Sequence, residues 1–182
     1  MGFHAGNYTI PGLIAEIVAE LDATDDWTIV DPDVVGGWCL EYVPDNTYIT
    51  LQTRADKYTR LGEIAYYWTG IAVRFSSEFN TETHEPAGSI SNGFIPIYWY
   101  KDGSGYLPAL LDTEHLYPVS YWIDKYGFIG TIQNPYRLYR QDLGAFFALE
   151  CIPTAKREFS DGYRAPCFHC RSSHGLTYDD QG

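Results

Sequence analysis

A chain of 182 residues with 45% hydrophobic content has the size of one domain, and it buries an ordinary core without help from metal or disulfides. Twenty-four acidic residues against 12 basic ones give a net charge of −12, and the longest basic run is Lys156-Arg157. That excludes the clustered cations a nucleic-acid partner or an anionic membrane surface would need. The bias of Asp over Lys fits a halophilic origin and equally an ordinary acidic protein, because both keep a surface hydrated and self-repelling.

Sixteen Tyr, 9 Phe and 5 Trp favour pleated, half-buried surfaces, so the expected class is mainly β. No positive segment precedes an apolar one at the N-terminus, and no window reaches the ~18 apolar residues of a membrane span, so a chain without signal peptide or anchor is expected. Four cysteines, Cys39, Cys151, Cys167 and Cys170, are too few for a stapled secreted scaffold and fit a reducing site of synthesis.

In chain order, Met1 to Thr9 reads as a polar arm. Pro11 fits a first helical position, and Leu13, Ile14, Ile17, Val18 and Leu21 recur at helix spacing with Glu16 and Glu20 opposite, which predicts one amphipathic helix over about 11–21. Asp22 to Asp26 ends it. Short apolar or alternating runs then predict strands at 27–30, 38–43, 47–53, 63–69, 71–75, 94–100, 119–124, 126–132 and 145–152, with turns at Pro44-Asp45-Asn46, Lys101 to Gly105 and Asp124 to Gly127. No βαβ alternation occurs, so the expected fold is an antiparallel, jelly-roll-like β-sandwich over 1–153 with that single helix. Ser76 to Gly93 reads as a polar contact loop. The aperiodic stretch 154–182 reads as an extended C-terminal arm, disordered alone and ordered by a partner subunit.

The sharpest local motif is Cys167-Phe168-His169-Cys170 followed by His174. With Cys151 as a fourth ligand it could hold Zn²⁺; two reduced thiols or a redox pair are the alternatives, and structural zinc more often draws two Cys pairs. No Gly-x-Ser-x-Gly elbow or glycine-rich phosphate loop occurs. His4, His84 and His115 stand alone in sequence, and Asp31-Pro32-Asp33 and Asp25-Asp26 read as solvated turn acids, so no enzyme is expected. Three aromatic clusters, Tyr66-Tyr67-Trp68, Tyr98-Trp99-Tyr100 and Tyr121-Trp122, alternate along strands and offer an outward side for a partner or a sugar; Tyr67, Tyr98, Trp99, Tyr100 and Trp122 are the candidate contact residues.

The order of short words along the chain resembles a family of small virion structural proteins of tailed phages and tailed archaeal viruses. The words are a helix ending in Trp27, Tyr48 to Leu51, Tyr67 to Ile71, Ser120-Tyr121-Trp122-Ile123-Asp124 with Phe128-Ile129-Gly130, and Leu143 to Phe147 ahead of Pro153. The likeness covers about Tyr8 to Asp161, excludes the Cys-rich tail, and departs from the family's usual turn at Lys125-Tyr126-Gly127. It implies a non-catalytic virion part at a tail, neck or baseplate position, made in the host cytoplasm, contacting copies of itself and neighbouring virion proteins. A carbohydrate- or receptor-binding module is the second reading, and a hydrolase with unplaced acids the third.

Overall fold

The computed structural model describes residues 2–59, 65–101, 113–133, 144–150 and 167–172. Ten strands and one helix are formed among them: β1 (Gly2–Tyr8), α1 (Ile10–Asp22), β2 (Trp27–Asp31), β3 (Gly37–Tyr42), β4 (Thr47–Thr59), β5 (Ala65–Asn80), β6 (Glu85–Lys101), β7 (Tyr117–Asp124), β8 (Gly127–Gln133), β9 (Gly144–Glu150) and β10 (Cys167–Ser172). They make two antiparallel five-stranded sheets, β1-β7-β8-β9-β10 and β2-β3-β4-β5-β6. Each sheet is a meander apart from β1, which pairs with β7. The Greek-key interleaving of a jelly roll is absent among the described strands.

α1 forms where the periodicity places it. Thr9 caps it by accepting a hydrogen bond from the Gly12 N–H at 3.1 Å, and Pro11 occupies the first turn. Its apolar stripe, Ile10, Leu13, Ile14, Ile17, Val18 and Leu21, is fully buried. The stripe shares one core with Leu40, Tyr42, Ile49, Leu51 and Val73 of one sheet and with Tyr117, Val119, Tyr121, Ile123, Phe128 and Ile132 of the other. α1 is thus the plug between the two sheets on the side where the chain passes from β1 to β2. On the opposite side β6 approaches β9 and β10. Trp27, buried against Tyr42, donates its indole N–H to the Lys125 carbonyl at 2.8 Å and ties β2 to the β7–β8 turn.

The structure corrects three expectations. The N-terminal arm is a strand: its apolar residue Phe3 faces solvent, so it shows no inward alternation to read. The loop predicted over 76–93 is instead the end of a hairpin, with Ser76 paired to Ile90 and Asn80 to Glu85. Asn80 turns it, its side-chain carbonyl accepting the Glu82 and Thr83 N–H groups, while His84 takes a left-handed φ of 58°. Third, the runs at 63–69 and 71–75 join, from Ala65 onward, in the single strand β5. Within the predicted C-terminal arm, Cys167–Ser172 form β10, paired in register with β9 from Cys167↔Glu150 to Ser172↔Ala145. The remainder of 151–182, and the predicted turn at Lys101 to Gly105 beyond Lys101, lie outside the described residues.

Candidate functional site: the outer face of the β1-β7-β8 sheet

Alternation along β7 sends Tyr117, Val119, Tyr121 and Ile123 inward to α1 and leaves the even positions outside. Register then builds a surface. Phe3 pairs with Trp122, and Trp122 with Ile129, so three large apolar residues, Phe3 far in sequence from the other two, lie side by side across β1, β7 and β8. They are 66%, 53% and 47% exposed. The next row is Ala5, Ser120 and Thr131, also exposed, and beyond it lie Asn7 and Pro118. Among the described residues, charge enters this face of the three strands only at its rim, at Asp124. In a chain of net charge −12, an exposed apolar row on an uncharged strip is the composition of a contact surface, since interface centres are depleted of charge and enriched in aromatics.

The other candidate contact residues fall elsewhere. Tyr67 pairs with Tyr100, Trp68 with Trp99 and Thr69 with Tyr98, so two aromatic clusters form one cross-strand block on β5 and β6. A bulge beside Pro96 separates this block from the rest of β6, where a residue without an N–H is tolerated.

Of the proposed zinc ligands, Cys167 and Cys170 lie on β10, where a separation of three residues puts them at positions on opposite faces of the sheet, whereas a Cys-x-x-Cys turn presents both to one ion. Cys151 and His174 lie outside the described residues. Cys39 is fully buried, and burial first, then the Asp31 and Glu41 charges, push its thiol up to about 12 against a partial offset from hydrogen bonding. It is an inert protonated core residue.

Two histidines that look solitary in sequence have partners. The His84 Nδ1 lies 2.7 Å from Asp31 Oδ2, and Asp31, the acid of an apparent surface turn, is buried, with its other oxygen accepting the Asp33 N–H at 2.8 Å. Burial pushes the Asp31 carboxyl up, but the hydrogen bonds from His84 and Asp33 and the attraction of His84 outweigh it and hold the group below its ordinary range. His4 stacks on Tyr121 at 4.8 Å and sits 3.4 Å from Glu16 Oε1, which also accepts the hydroxyls of Tyr121 at 2.8 Å and Tyr8 at 3.1 Å. Burial, then the Glu16 hydrogen bond and charge, raise both tyrosines, so they stay protonated donors that fasten β1 and β7 to α1. Both clusters join elements; neither places a nucleophile or a set of metal ligands together among the described residues. Sequence reasoning missed Phe3 and Ile129 as surface residues: the long-range β1–β7 register alone brings Phe3 beside Trp122, whereas Ile129 follows from the Asp124–Gly127 hairpin once its register is counted through.

No family model, no curated protein and no solved structure matches the chain.

Proposed function

We propose that this protein is a structural component of a tailed virus particle, at a tail, neck or baseplate position, acting by association with copies of itself and with neighbouring virion proteins and catalysing no reaction. The observation that carries the self-association part is the uncharged strip with Phe3, Trp122 and Ile129 at its centre. The virion placement rests on the sequence resemblance. The two sheets act as a β-sandwich with α1 as its filling, a frame that presents the outer face of β1, β7 and β8. Such a face is what a repeated particle subunit requires, because closed symmetric assemblies are built from self-complementary or mutually complementary patches.

Light scattering on the purified protein at low and molar salt tests this. A defined oligomer, stronger at high salt as the negative charges are screened, is expected; a monomer at every salt that also ignores virion proteins would overturn the reading. The alternative is a carbohydrate-binding module, favoured by Trp122 standing exposed beside the hydroxyls of Ser120 and Thr131. It predicts quenching of Trp122 fluorescence by a glycan. Zinc on Cys151, Cys167, Cys170 and His174 is a subsidiary proposal that requires β10 to give way to a turn, and elemental analysis of the same sample finding no metal would end it.

A further inference from the structure

Resting on the self-association just proposed, we infer that the partner on this face is a second copy of the chain, packed sheet to sheet about a two-fold axis that runs across the strands between residues 120 and 122 of β7.

Sizes in two adjacent rows set the packing. One row runs Phe3, Trp122 and Ile129; the next runs Ala5, Ser120 and Thr131. Each of the three strands therefore carries one larger and one smaller residue at these two positions: Phe with Ala, Trp with Ser, and Ile with Thr. The rows stand about 7 Å apart, two residues along a strand. A two-fold axis lying midway between them and perpendicular to the strands sets each strand over its own copy in the opposite direction. The first row of one copy then meets the second row of the other, so Phe3 faces Ala5, Trp122 faces Ser120 and Ile129 faces Thr131. Larger residues fall on smaller ones along three adjacent strands, which is the interdigitation that face-to-face sheets need at about 10 Å separation.

Charge selects the same partner. Two copies of a chain with net charge −12 repel over most of their surfaces, and this strip opposes them with no charge on either side at its centre. An isologous contact also has to be self-complementary, and the alternation of sizes supplies that without a second kind of protein.

The test is sedimentation equilibrium on the full chain and on surface variants whose melting is first matched to the parent. Trp122→Glu places two carboxylates within the contact and should weaken the dimer at least ~30-fold, the effect of losing one central aromatic anchor. Ser120→Trp is the discriminating variant. It adds apolar surface, so indiscriminate stickiness predicts tighter association, whereas the stepped contact predicts a weaker dimer because two tryptophans now meet. The exchange Ser120→Trp with Trp122→Ser restores the step on β7 and should recover most of the lost affinity. A dimer that tightens with Ser120→Trp, or one indifferent to Trp122→Glu, overturns this packing while leaving self-association through another surface standing. A parent chain that is monomeric at all salt concentrations overturns the self-association itself.

Discussion

The two sheets have similar inner faces and opposite outer ones. Among the described residues, the outer face of β1, β7 and β8 is exposed, uncharged except at its Asp124 rim and centred on Trp122, while the outer face of the β2–β6 sheet is covered by its own chain at the end nearest the β5–β6 turn. There the β5–β6 hairpin tip reaches back across the sheet: His84 meets Asp31 of β2, Glu85 pairs with Arg74 at 2.9 Å, and Phe79 stacks with Tyr48 of β4 at 6.4 Å. Beneath it Cys39, Thr50 and Ser76 are buried although they lie on the side away from α1. A face sealed by the chain itself needs no partner and can hold polar groups; a face left open has shed charge. That difference is why the open face, and not the aromatic count, carries the functional reading.

The largest loss of stability is expected within the sealed sheet. Gly37 of β3 lies so close to β4 that an added Cβ would sit on the Leu51 carbonyl oxygen and the Gln52 Cα. Backbone cannot yield as a flexible side chain does. Gly37→Ala should therefore lower unfolding free energy by about 3 kcal/mol, measured by urea denaturation; an unchanged midpoint would show that β3 and β4 are set further apart.

The latch under the hairpin comes next. Asp31→Ala removes the acceptor of both the His84 ring and the Asp33 N–H. The expected loss is about 2 kcal/mol, the cost of leaving buried hydrogen-bonding groups without a partner. The hairpin should also open to protease near Thr81 to His84, and a cleavage rate equal to the parent's would show that Phe79 and Glu85 hold it alone. The same latch gives a pH dependence with a definite sign. Since the folded state holds the Asp31 carboxyl below its ordinary value of 3.8, its contribution is present above that pH and is lost as pH falls through the lower, folded value. Amide exchange at the hairpin tip should accelerate at the acid end of that window in the parent and show no such step in Asp31→Asn.

How much of this was legible in the sequence depends on how local the cause is. α1 was, because Thr9, Pro11 and a 3.6-residue stripe lie within fourteen positions of one another. Strands β3, β7 and β8 were, because their alternation is written in consecutive residues. β1 was not, because Gly2, His4 and Gly6 occupy three of its four inner positions and Phe3 faces out. The hairpin was not, because Ser77, Glu78, Asn80 and Glu85 form a ribbon whose polar composition resembles a loop. Trp122 could be named as a contact candidate from its cluster, and Ile129 lies within reach of the predicted Asp124–Gly127 hairpin, but Phe3 could not be placed beside them, since the β1–β7 register is a long-range property. Asp31 and His84 failed for the same reason: each looks solvated until the hairpin brings them together.

The smallest effect sharpens the contrast best. A half-exposed tryptophan on an open face makes few contacts within its own chain, so Trp122→Ser should change the stability of the isolated chain by no more than ~0.5 kcal/mol, as read from denaturation at low protein concentration where any dimer has dissociated. If the residue were there for folding, truncation would instead cost several times that, as it does for buried aromatics. Near-neutral stability combined with lost association would assign the exposed indole to a partner rather than to the fold. The sealed sheet offers the matching control at Tyr48, whose ring is covered by Phe79: Tyr48→Ser should destabilise the chain and leave its oligomeric state unchanged.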